Sequence, residues 1–315
     1  MTSTSTSTSL RARPARSGAT APVDTRARRA ALHPYLFIAP FYVLYVLFML
    51  VPIAVALWLS LCEWVGLGAP HWVGPRNYAH LLTDASFHRA LGNTGIYVLV
   101  SLLVIVPAAL FVAQAINARG VRARDLWRTA YFVPIVVSPI VVALIFGLIF
   151  DRQFGLLNSV LRALFGTGSV DWLGDPTLSK VAISLVMVWR WTGYLTIFFL
   201  AGLQNVPREL YEAASIDGAG PVRTFFTVTL PALKPVAAFV AVTSFIGAAQ
   251  IFDEPYLLTG GGPAEATLSV AMFIYRAAFE RQQFGYAAAA GVVLFVVVFT
   301  LSRLFNRLLG IGRTQ

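Results

Sequence analysis

Long stretches of apolar residues alternate with shorter polar stretches along this chain. A helix needs about 20 apolar residues to cross the hydrocarbon core of a bilayer. Six stretches approach or exceed that length, and Gly and Pro clusters separate several of them. The pattern therefore predicts an all-α membrane protein with six transmembrane helices. The predicted spans are 34–61, 95–116, 130–150, 181–203, 235–252 and 286–305.

The stretch before the first apolar run is rich in Ser, Thr and Arg and has few apolar residues. A segment of this composition cannot bury enough apolar surface to offset the entropy lost on ordering. We therefore predict that residues 1–32 form a disordered basic tail. The apolar run that follows is longer than the hydrophobic region of a secretory signal and has no clear small-residue cleavage site. We expect the tail to remain in the mature protein.

Basic residues are distributed unevenly among the predicted loops. The tail, the second and fourth connections and the C-terminal end are the most basic, whereas the first, third and fifth connections are sparser. Because loops rich in Lys and Arg stay on the cytoplasmic side of a membrane, this asymmetry predicts a cytoplasmic N-terminus and a cytoplasmic C-terminus. The densest internal group lies in the second connection and comprises Arg119, Arg122, Arg124 and Arg128.

Composition agrees with a membrane protein and excludes other classes. The chain is 57% hydrophobic and 12% charged, with a mean hydropathy of +0.72. Its net charge of +10 does not predict nucleic-acid binding, because the basic residues fall between apolar runs and not on a polar domain. We expect contact with membrane lipid instead. Cys62 is the single cysteine, which excludes an intrachain disulfide framework.

Motifs for nucleotide, metal or hydrolytic chemistry are absent from the sequence. There is no GxxxxGK[ST] phosphate loop, no HExxH metal pair and no GxSxG nucleophile. The four histidines lie at one span end and in one loop, which does not predict a metal site. We therefore expect no catalytic residue and no bound cofactor or metal in this chain. If this chain depends on ATP, a separate protein must bind the nucleotide.

The longest predicted cytoplasmic connection lies between the fourth and fifth spans. Pro207, Glu209 and Glu212 are typical of the start of a short helix, and Gly218 and Gly220 of its end. Apolar residues then lead to the fifth span, so the connection is predicted to form a helix, a turn and a second helix at the membrane surface. On physical grounds alone this hairpin could simply anchor the helix bundle.

The same connection carries a motif with fixed spacing. The residues Glu212, Ala213, Ala214, Gly218, Val228, Leu230 and Pro231 resemble the EAA signature of binding-protein-dependent ABC importer permeases. In that family the usual residue at position 228 is Ile. The loop is the family's coupling helix, which sits in a cleft of the ATPase subunit. The resemblance therefore implies an ATPase-coupling role for Glu212, Ala213, Ala214, Gly218, Leu230 and Pro231.

Further stretches are similar to the sugar-permease branch of that family. They are WVGPRNY, AGLQNVPRELYEAASIDGAG, TLPALKP, LLTGGGPAEAT and FGYAAAAG, with Pro75 standing where Leu is usual. The resemblance implies a multi-pass protein of the bacterial inner membrane that translocates a carbohydrate or sugar-like solute. It also implies three kinds of partner: a second, homologous permease, an ABC ATPase dimer that holds ATP and Mg²⁺, and an extracytoplasmic solute-binding protein.

On this resemblance the chain divides into four parts. The predicted parts are the tail at 1–32, a first transmembrane helix with an external loop at 33–88, a core permease domain at 89–309 and a cytoplasmic end at 310–315.

One charged residue falls near the middle of a predicted span. Burying the Arg190 side chain in a bilayer costs about 3 kcal/mol on insertion scales, so it marks a candidate functional site. Alternatively Arg190 pairs with an acid of the bundle, which the sequence does not identify. The neighbouring Trp189, Trp191 and Tyr194 could stack on sugar rings or simply pack in the bundle.

Polar residues also cluster at the predicted outer end of the fifth span. Gln250, Asp253 and Glu254 could bind substrate hydroxyls there beside Phe252, or could cap the helix and meet the external binding protein. The predicted substrate pathway comprises Trp189, Arg190, Trp191, Tyr194, Gln250, Phe252 and Asp253.

Two other classes of protein fit an apolar chain of this kind. A secondary transporter should show repeated halves and intramembrane acids or broken helices, whereas the clear intramembrane charge of this chain is one arginine. An integral-membrane enzyme should place paired acids or metal ligands at a span end, and Asp253 with Glu254 is the best candidate pair.

Overall fold

The computed structural model describes residues 37–118, 121–166 and 168–308. The predicted tail at 1–32 and the end at 310–315 lie outside these residues. Residues 37–53 and the described residues from 54 to 308 belong to two separate units. Within the described residues the structure is helical apart from one antiparallel pair of two-residue strands. The prediction of a predominantly helical protein with several membrane spans is confirmed.

Helices of very different lengths follow one another along the chain. The first part contains α1 (Phe37–Leu59), β1 (Cys62–Glu63), β2 (His71–Trp72), α2 (Arg76–Leu81), α3 (Ala85–Asn117), α4 (Arg124–Val136), α5 (Pro139–Ile149) and α6 (Leu156–Phe165). The long helix α7 (Pro176–Gln204) is followed by α8 (Arg208–Ile216). Next is α9, in which Pro221–Thr224 continues through the π-helical turn Phe225–Thr229 into Leu230–Ala232. The last elements are α10 (Lys234–Ala249), α11 (Asp253–Thr259), α12 (Val270–Tyr275) with the π-helical turn Arg276–Glu280, and α13 (Phe284–Leu308).

Five helical segments are long and apolar enough to cross a membrane, namely α1, α3, α7, α10 with α11, and α13. The helix α3 begins ten residues before the predicted start of its span because Asp84 caps it. The Asp84 carboxylate accepts hydrogen bonds from the backbone N–H of Ser86 (2.8 Å) and of Phe87 (3.2 Å). Burial by itself raises the pKa of Asp84, but these bonds and one from the Tyr286 hydroxyl lower it on balance.

The third predicted span, 130–150, is wrong as a continuous helix. The structure divides it into α4 and α5, whose axes differ by 96°. Pro139 has no N–H to donate and disfavours helical geometry in the residue before it. Val137 and Ser138 accordingly have extended ψ values of 135°. The pair counts as a sixth candidate span if both helices belong to one crossing.

Helices α4 and α5 both pack along α7. At one end α4 approaches α7 so closely that a Cβ on Gly193 would lie 1.6 Å from the Tyr131 carbonyl oxygen. Further along, the rings of Phe146 and Trp189 are 5.2 Å apart. Small residues permit such close approach of helices in membranes. The bent pair therefore follows α7 from its middle toward its N-terminal end.

The fifth predicted span, 235–252, ends early. Its helix α10 stops at Ala249, and the chain is non-helical before α11. Pro255 cannot donate a hydrogen bond to the carbonyl of Ile251. The hydroxyl of Ser269 donates to that carbonyl instead, at 2.6 Å. The break is thus stabilised by a residue from the following loop.

The main core of the second unit joins α3, α7 and α10. Tyr97, Ile105, Ile183, Phe199 and Val240 are among its fully buried members. A second cluster packs α3 against α12 and α13 around Phe87, Phe273 and Tyr286. The outer faces of the helices carry exposed apolar side chains, including Leu144, Leu148, Phe295 and Phe299. Such surfaces suit lipid and not water, which makes this a multi-pass membrane protein.

Candidate functional site

A cavity of about 290 Å³ lies between α3, α7 and the broken region that follows α10. Its wall mixes apolar, hydroxyl, amide and carboxylate groups. The lining residues are Ser101, Ile105, Met187, Trp191, Tyr194, Leu195, Thr243, Ser244, Gly247, Ala248, Gln250, Ile251, Phe252, Asp253 and Glu254.

Irregular backbone positions several of these groups. Ser101 begins a π-helical turn, Ser101–Ile105, inside α3, and such turns occur often at functional sites. The hydroxyls of Ser101 and Ser244 hydrogen-bond to each other across the α3–α10 contact. On the other side, the break after Ala249 brings Gln250, Asp253 and Glu254 to the cavity instead of continuing α10.

The buried charge of α7 has an acidic partner. Arg190 Nη1 lies 3.1 Å from Glu254 Oε1 and 3.9 Å from Asp253 Oδ2. The Arg190 and Glu254 side chains are 8% and 5% exposed, and that of Asp253 is 48% exposed. Trp191 Nε1 donates a second hydrogen bond to Glu254 Oε1, at 3.2 Å. Paired in this way, both buried charges are compensated, which a charge inside a protein or membrane requires.

Most of the predicted pathway residues come together at this cavity. Trp191, Tyr194, Gln250, Phe252 and Asp253 line it. Arg190 does not line it but contacts Glu254, which does.

Trp189 does not take part in the cavity. Its ring packs against Phe146 of α5, and the residue is 44% exposed. Successive residues of a helix point about 100° apart, so Trp189 and Trp191 cannot share one face. The structure therefore assigns Trp189 to helix packing.

The acidic residues that follow α10 lie against α5 and α7. Sequence places Gln250, Asp253 and Glu254 at the outer end of the fifth span, but Glu254 contacts Arg190 near the middle of α7. The reason is the break at Ala249, after which α11 packs against α5 and α7 instead of leaving the bundle. Glu254 is therefore the acid that pairs with Arg190, which the sequence did not identify.

Sequence reasoning missed the hydroxyl groups of the cavity. Ser101, Thr243 and Ser244 all lie within apolar helices and line the cavity. The available signal was their position inside predicted spans, where a hydroxyl facing lipid would be disfavoured. That signal is weak, because a Ser or Thr can bond to its own helix backbone.

The motif in the connection between α7 and α10 forms a separate surface. Its helix α8 follows Pro207 and has Glu209 in the first turn, as predicted. Gly218 has a φ of +70°, the left-handed conformation that ends many helices. The backbone N–H of Ala219 closes the end by donating to the Ala214 carbonyl at 2.9 Å. The helix, turn and second helix predicted for this connection are therefore confirmed.

We call the exposed side of this hairpin the α8 surface, defined by Leu210, Glu212, Ala213, Ser215 and Ile216. All five residues are exposed, Ile216 by 86%. A shallow concavity of about 260 Å³ lies beside Tyr211, Glu212, Ser215 and Ile216.

Other motif residues face the hairpin and its surroundings. Ala214, Val228 and Leu230 are half-buried, whereas Pro231 is exposed. The hydroxyls of Tyr211 and Thr229 lie 3.3 Å apart, which ties α8 to α9. Within the described residues Glu212 makes no salt bridge. The surface thus offers an exposed carboxylate beside small and apolar side chains, a combination suited to protein contact.

Comparison with known proteins identifies the kind of chain to which this one is similar. Residues 105–311 match the family described as "Binding-protein-dependent transport system inner membrane component". The arabinooligosaccharides transport system permease protein AraP of Bacillus subtilis (strain 168) is 35% identical over 309 residues, covering 95% of this chain and 98% of AraP. The lactose transport system permease protein LacF of Rhizobium radiobacter is 40% identical over 272 residues, covering 85% of this chain and 91% of LacF.

A solved structure has the same fold. It is the crystal structure of a bacterial ABC transporter involved in the import of the acidic polysaccharide alginate. The TM-score is 0.79 at 22% sequence identity, and the match covers 92% of this chain and 99% of the solved chain.

Proposed function

This chain belongs to the family of binding-protein-dependent transport system inner membrane components, and from that premise we propose that it is the permease subunit of an ATP-driven importer for a carbohydrate. It is a transport subunit and not an enzyme. The observation that carries the proposal is the α8 surface, where Glu212 and Ala213 are exposed for a partner while a cavity with hydroxyl and carboxylate groups lies within the bundle.

A sugar or sugar-like solute fits the cavity best. Two relatives that match over most of their length are named for arabinooligosaccharides and for lactose. The cavity offers hydroxyls from Ser101, Tyr194 and Thr243, the Gln250 amide, and aromatic rings from Trp191 and Phe252. Hydroxyl-rich rings are bound by hydrogen-bonding groups of this kind beside aromatic faces.

We propose six spans, with α4 and α5 forming one broken crossing and with both ends of the chain in the cytoplasm. The contacts of the bent pair along α7 support a single crossing. Charge supports the orientation. Arg208, Arg223 and Lys234 lie beside α8, and Arg122, Arg124 and Arg128 lie at or near the start of α4. Loops rich in Lys and Arg stay on the cytoplasmic side, here that of the inner membrane.

The proposed assembly contains a second permease, an ATPase dimer that holds ATP and Mg²⁺, and an extracytoplasmic binding protein. In it the ATPase docks on the α8 surface. A movement of α8 would reach α9 through the Tyr211–Thr229 contact. From α9 it would pass to α10, which carries Thr243 and Ser244 of the cavity. This route is continuous packed structure, through which coupling between two sites can travel.

The proposal is tested by purifying the tagged full-length chain in detergent from its own host and identifying co-purifying proteins by mass spectrometry. We expect a second permease and an ATPase, with ATP hydrolysis by the recovered complex. A binding protein recovered with them would then be screened for sugar ligands. Recovery of a well-folded chain without any ATPase would contradict the proposal and would favour a transporter driven by an ion gradient.

A further inference from the structure

Three charged residues lie at the cavity or directly behind its lining. Asp253 and Glu254 line the cavity, and Arg190 lies directly behind Glu254. The remaining lining residues are uncharged, and the lining contains no Lys, Arg or His among the residues that the structure describes. With one cation and two carboxylates, the group carries a formal charge of −1.

Glu254 removes the one positive charge of this group from the reach of a solute. Its carboxylate lies 3.1 Å from Arg190 Nη1 and also accepts the indole N–H of Trp191. Both members of the pair are more than nine-tenths buried. A short ion pair that is shielded from solvent holds its partners strongly, so the guanidinium is engaged before any solute arrives.

Asp253 leaves the cavity with an excess of negative charge. Its carboxylate is 3.9 Å from Arg190 Nη1, and its side chain is half exposed. It can accept hydrogen bonds from sugar hydroxyls but repels a carboxylate or sulfonate brought to the same place. Because Ser101, Thr243 and Gln250 are neutral, no other described lining group offsets this repulsion.

From this arrangement we infer that the pathway is selective for uncharged glycans, and that Glu254 sets this selectivity by neutralising Arg190. The inference rests on the proposed transport function and adds the charge class of the substrate. Glu254 thus determines specificity through its contact with Arg190. Removal of the Glu254 charge would leave Arg190 with only the longer contact to Asp253 and would make it available to an anionic sugar.

The test uses the complete complex of permeases and ATPase, purified in detergent without the binding protein so that the selectivity of the latter does not enter. The probes are matched pairs, such as galactobiose and digalacturonate, which differ only by a carboxylate at each C6. Binding of each probe is measured by equilibrium dialysis, and uptake is then measured in proteoliposomes with the binding protein restored. We expect the wild type to bind the neutral member at least about tenfold more tightly.

Three variants distinguish a change in charge selectivity from a general loss of folding or binding. Glu254→Gln should narrow or reverse the preference by about tenfold. Arg190→Gln combined with Glu254→Gln should restore the preference for the neutral sugar, since Asp253 then stands alone. Glu280→Gln removes an exposed acid outside the cavity lining, 3.8 Å from Arg276, and should leave the preference unchanged.

Several results would overturn the inference. A wild-type complex that prefers the anionic member would overturn the inference but not the proposed transport function. A folded Glu254→Gln variant with an unchanged preference for the neutral sugar would also overturn the inference. If Glu254→Gln fails to fold, the wild type and the double variant still decide, because both retain Asp253 and both must prefer the neutral sugar. A complex that neither binds nor takes up any sugar would instead contradict the proposed function itself.

Discussion

The α8 surface and the Arg190–Glu254 pair present charge in opposite ways. At the α8 surface, Glu212 is exposed and makes no salt bridge within residues 37–118, 121–166 and 168–308. At the pair, Glu254 is buried and contacts Arg190 and Trp191 directly. An exposed charge costs little and is free to bind another protein, whereas a buried one must be compensated within its own chain. The two carboxylates should therefore respond differently to the same substitution.

Removal of the buried carboxylate should have the largest effect on stability. Glu254→Ala leaves Arg190 buried without its nearest partner, and breaking such a pair typically costs about 3–5 kcal/mol. We expect a large fall in the unfolding temperature in detergent, measured by fluorescence or by loss of the monodisperse peak. Glu212→Ala is the matched substitution and should leave that temperature unchanged. Equal unfolding temperatures for the two variants would break the comparison.

Close packing on α7 should give the next largest effect. A Cβ at Gly193 would overlap the Tyr131 carbonyl oxygen, so Gly193→Ala must push α4 away from α7. Overpacking of this kind costs about 1–3 kcal/mol. Gly291→Ala is the control, because a Cβ there meets no atom within 4 Å. If thermal unfolding of the two variants in detergent gave the same midpoint, the close contact between α4 and α7 would be wrong.

A smaller effect should depend on pH. The lowered pKa of Asp84 means that its carboxylate stabilises the folded state above the ordinary pKa of 3.8, and that this contribution is lost as the pH falls through the folded-state pKa. Asp84→Asn keeps a capping oxygen but cannot titrate. The stability difference between wild type and variant should therefore shrink as the pH falls below 3.8 through the folded-state pKa, and it should be smaller than the ~0.5–2 kcal/mol that replacement of a capping residue by Ala costs.

Unfolding midpoints of both proteins across this pH range provide the measurement. The comparison with the variant is needed because other carboxylates titrate in the same range. A stability difference that stays constant with pH would contradict the role of Asp84 at the start of α3.

The helical fold followed largely from the sequence, because apolar length in a membrane leaves few alternatives. The two breaks did not. Pro139 and Pro255 are visible in the sequence, but proline is tolerated inside membrane helices when neighbouring groups bond to the freed carbonyls. Whether the chain bends at such a residue depends on partners such as Ser269, which lies 18 residues beyond Ile251 in the sequence.

The sequence pointed to the α8 surface but did not predict the composition of the cavity. The resemblance of the segment from Glu212 to Pro231 to the EAA signature pointed to the α8 surface, and the nine-residue helix that carries Glu212 forms with its cap by local rules. The cavity depends on contacts between distant parts of the chain. The partner of Arg190 is 64 residues away, and Ser101 meets Ser244 across 143 residues. Sequence periodicity cannot locate such contacts, which explains why Ser101 was missed.

In the proposed importer the α8 surface couples a separate ATPase to transport, and substitution of Glu212 tests this coupling. Glu212→Ala is compared with Glu209→Ala, which removes an exposed acid from the first turn of the same helix. ATPase recovery and ATP-dependent sugar uptake are measured in the reconstituted complex. We expect Glu212→Ala to keep its unfolding temperature but to lose most ATPase docking and uptake, while Glu209→Ala retains both. Unchanged docking and uptake in Glu212→Ala would contradict this coupling.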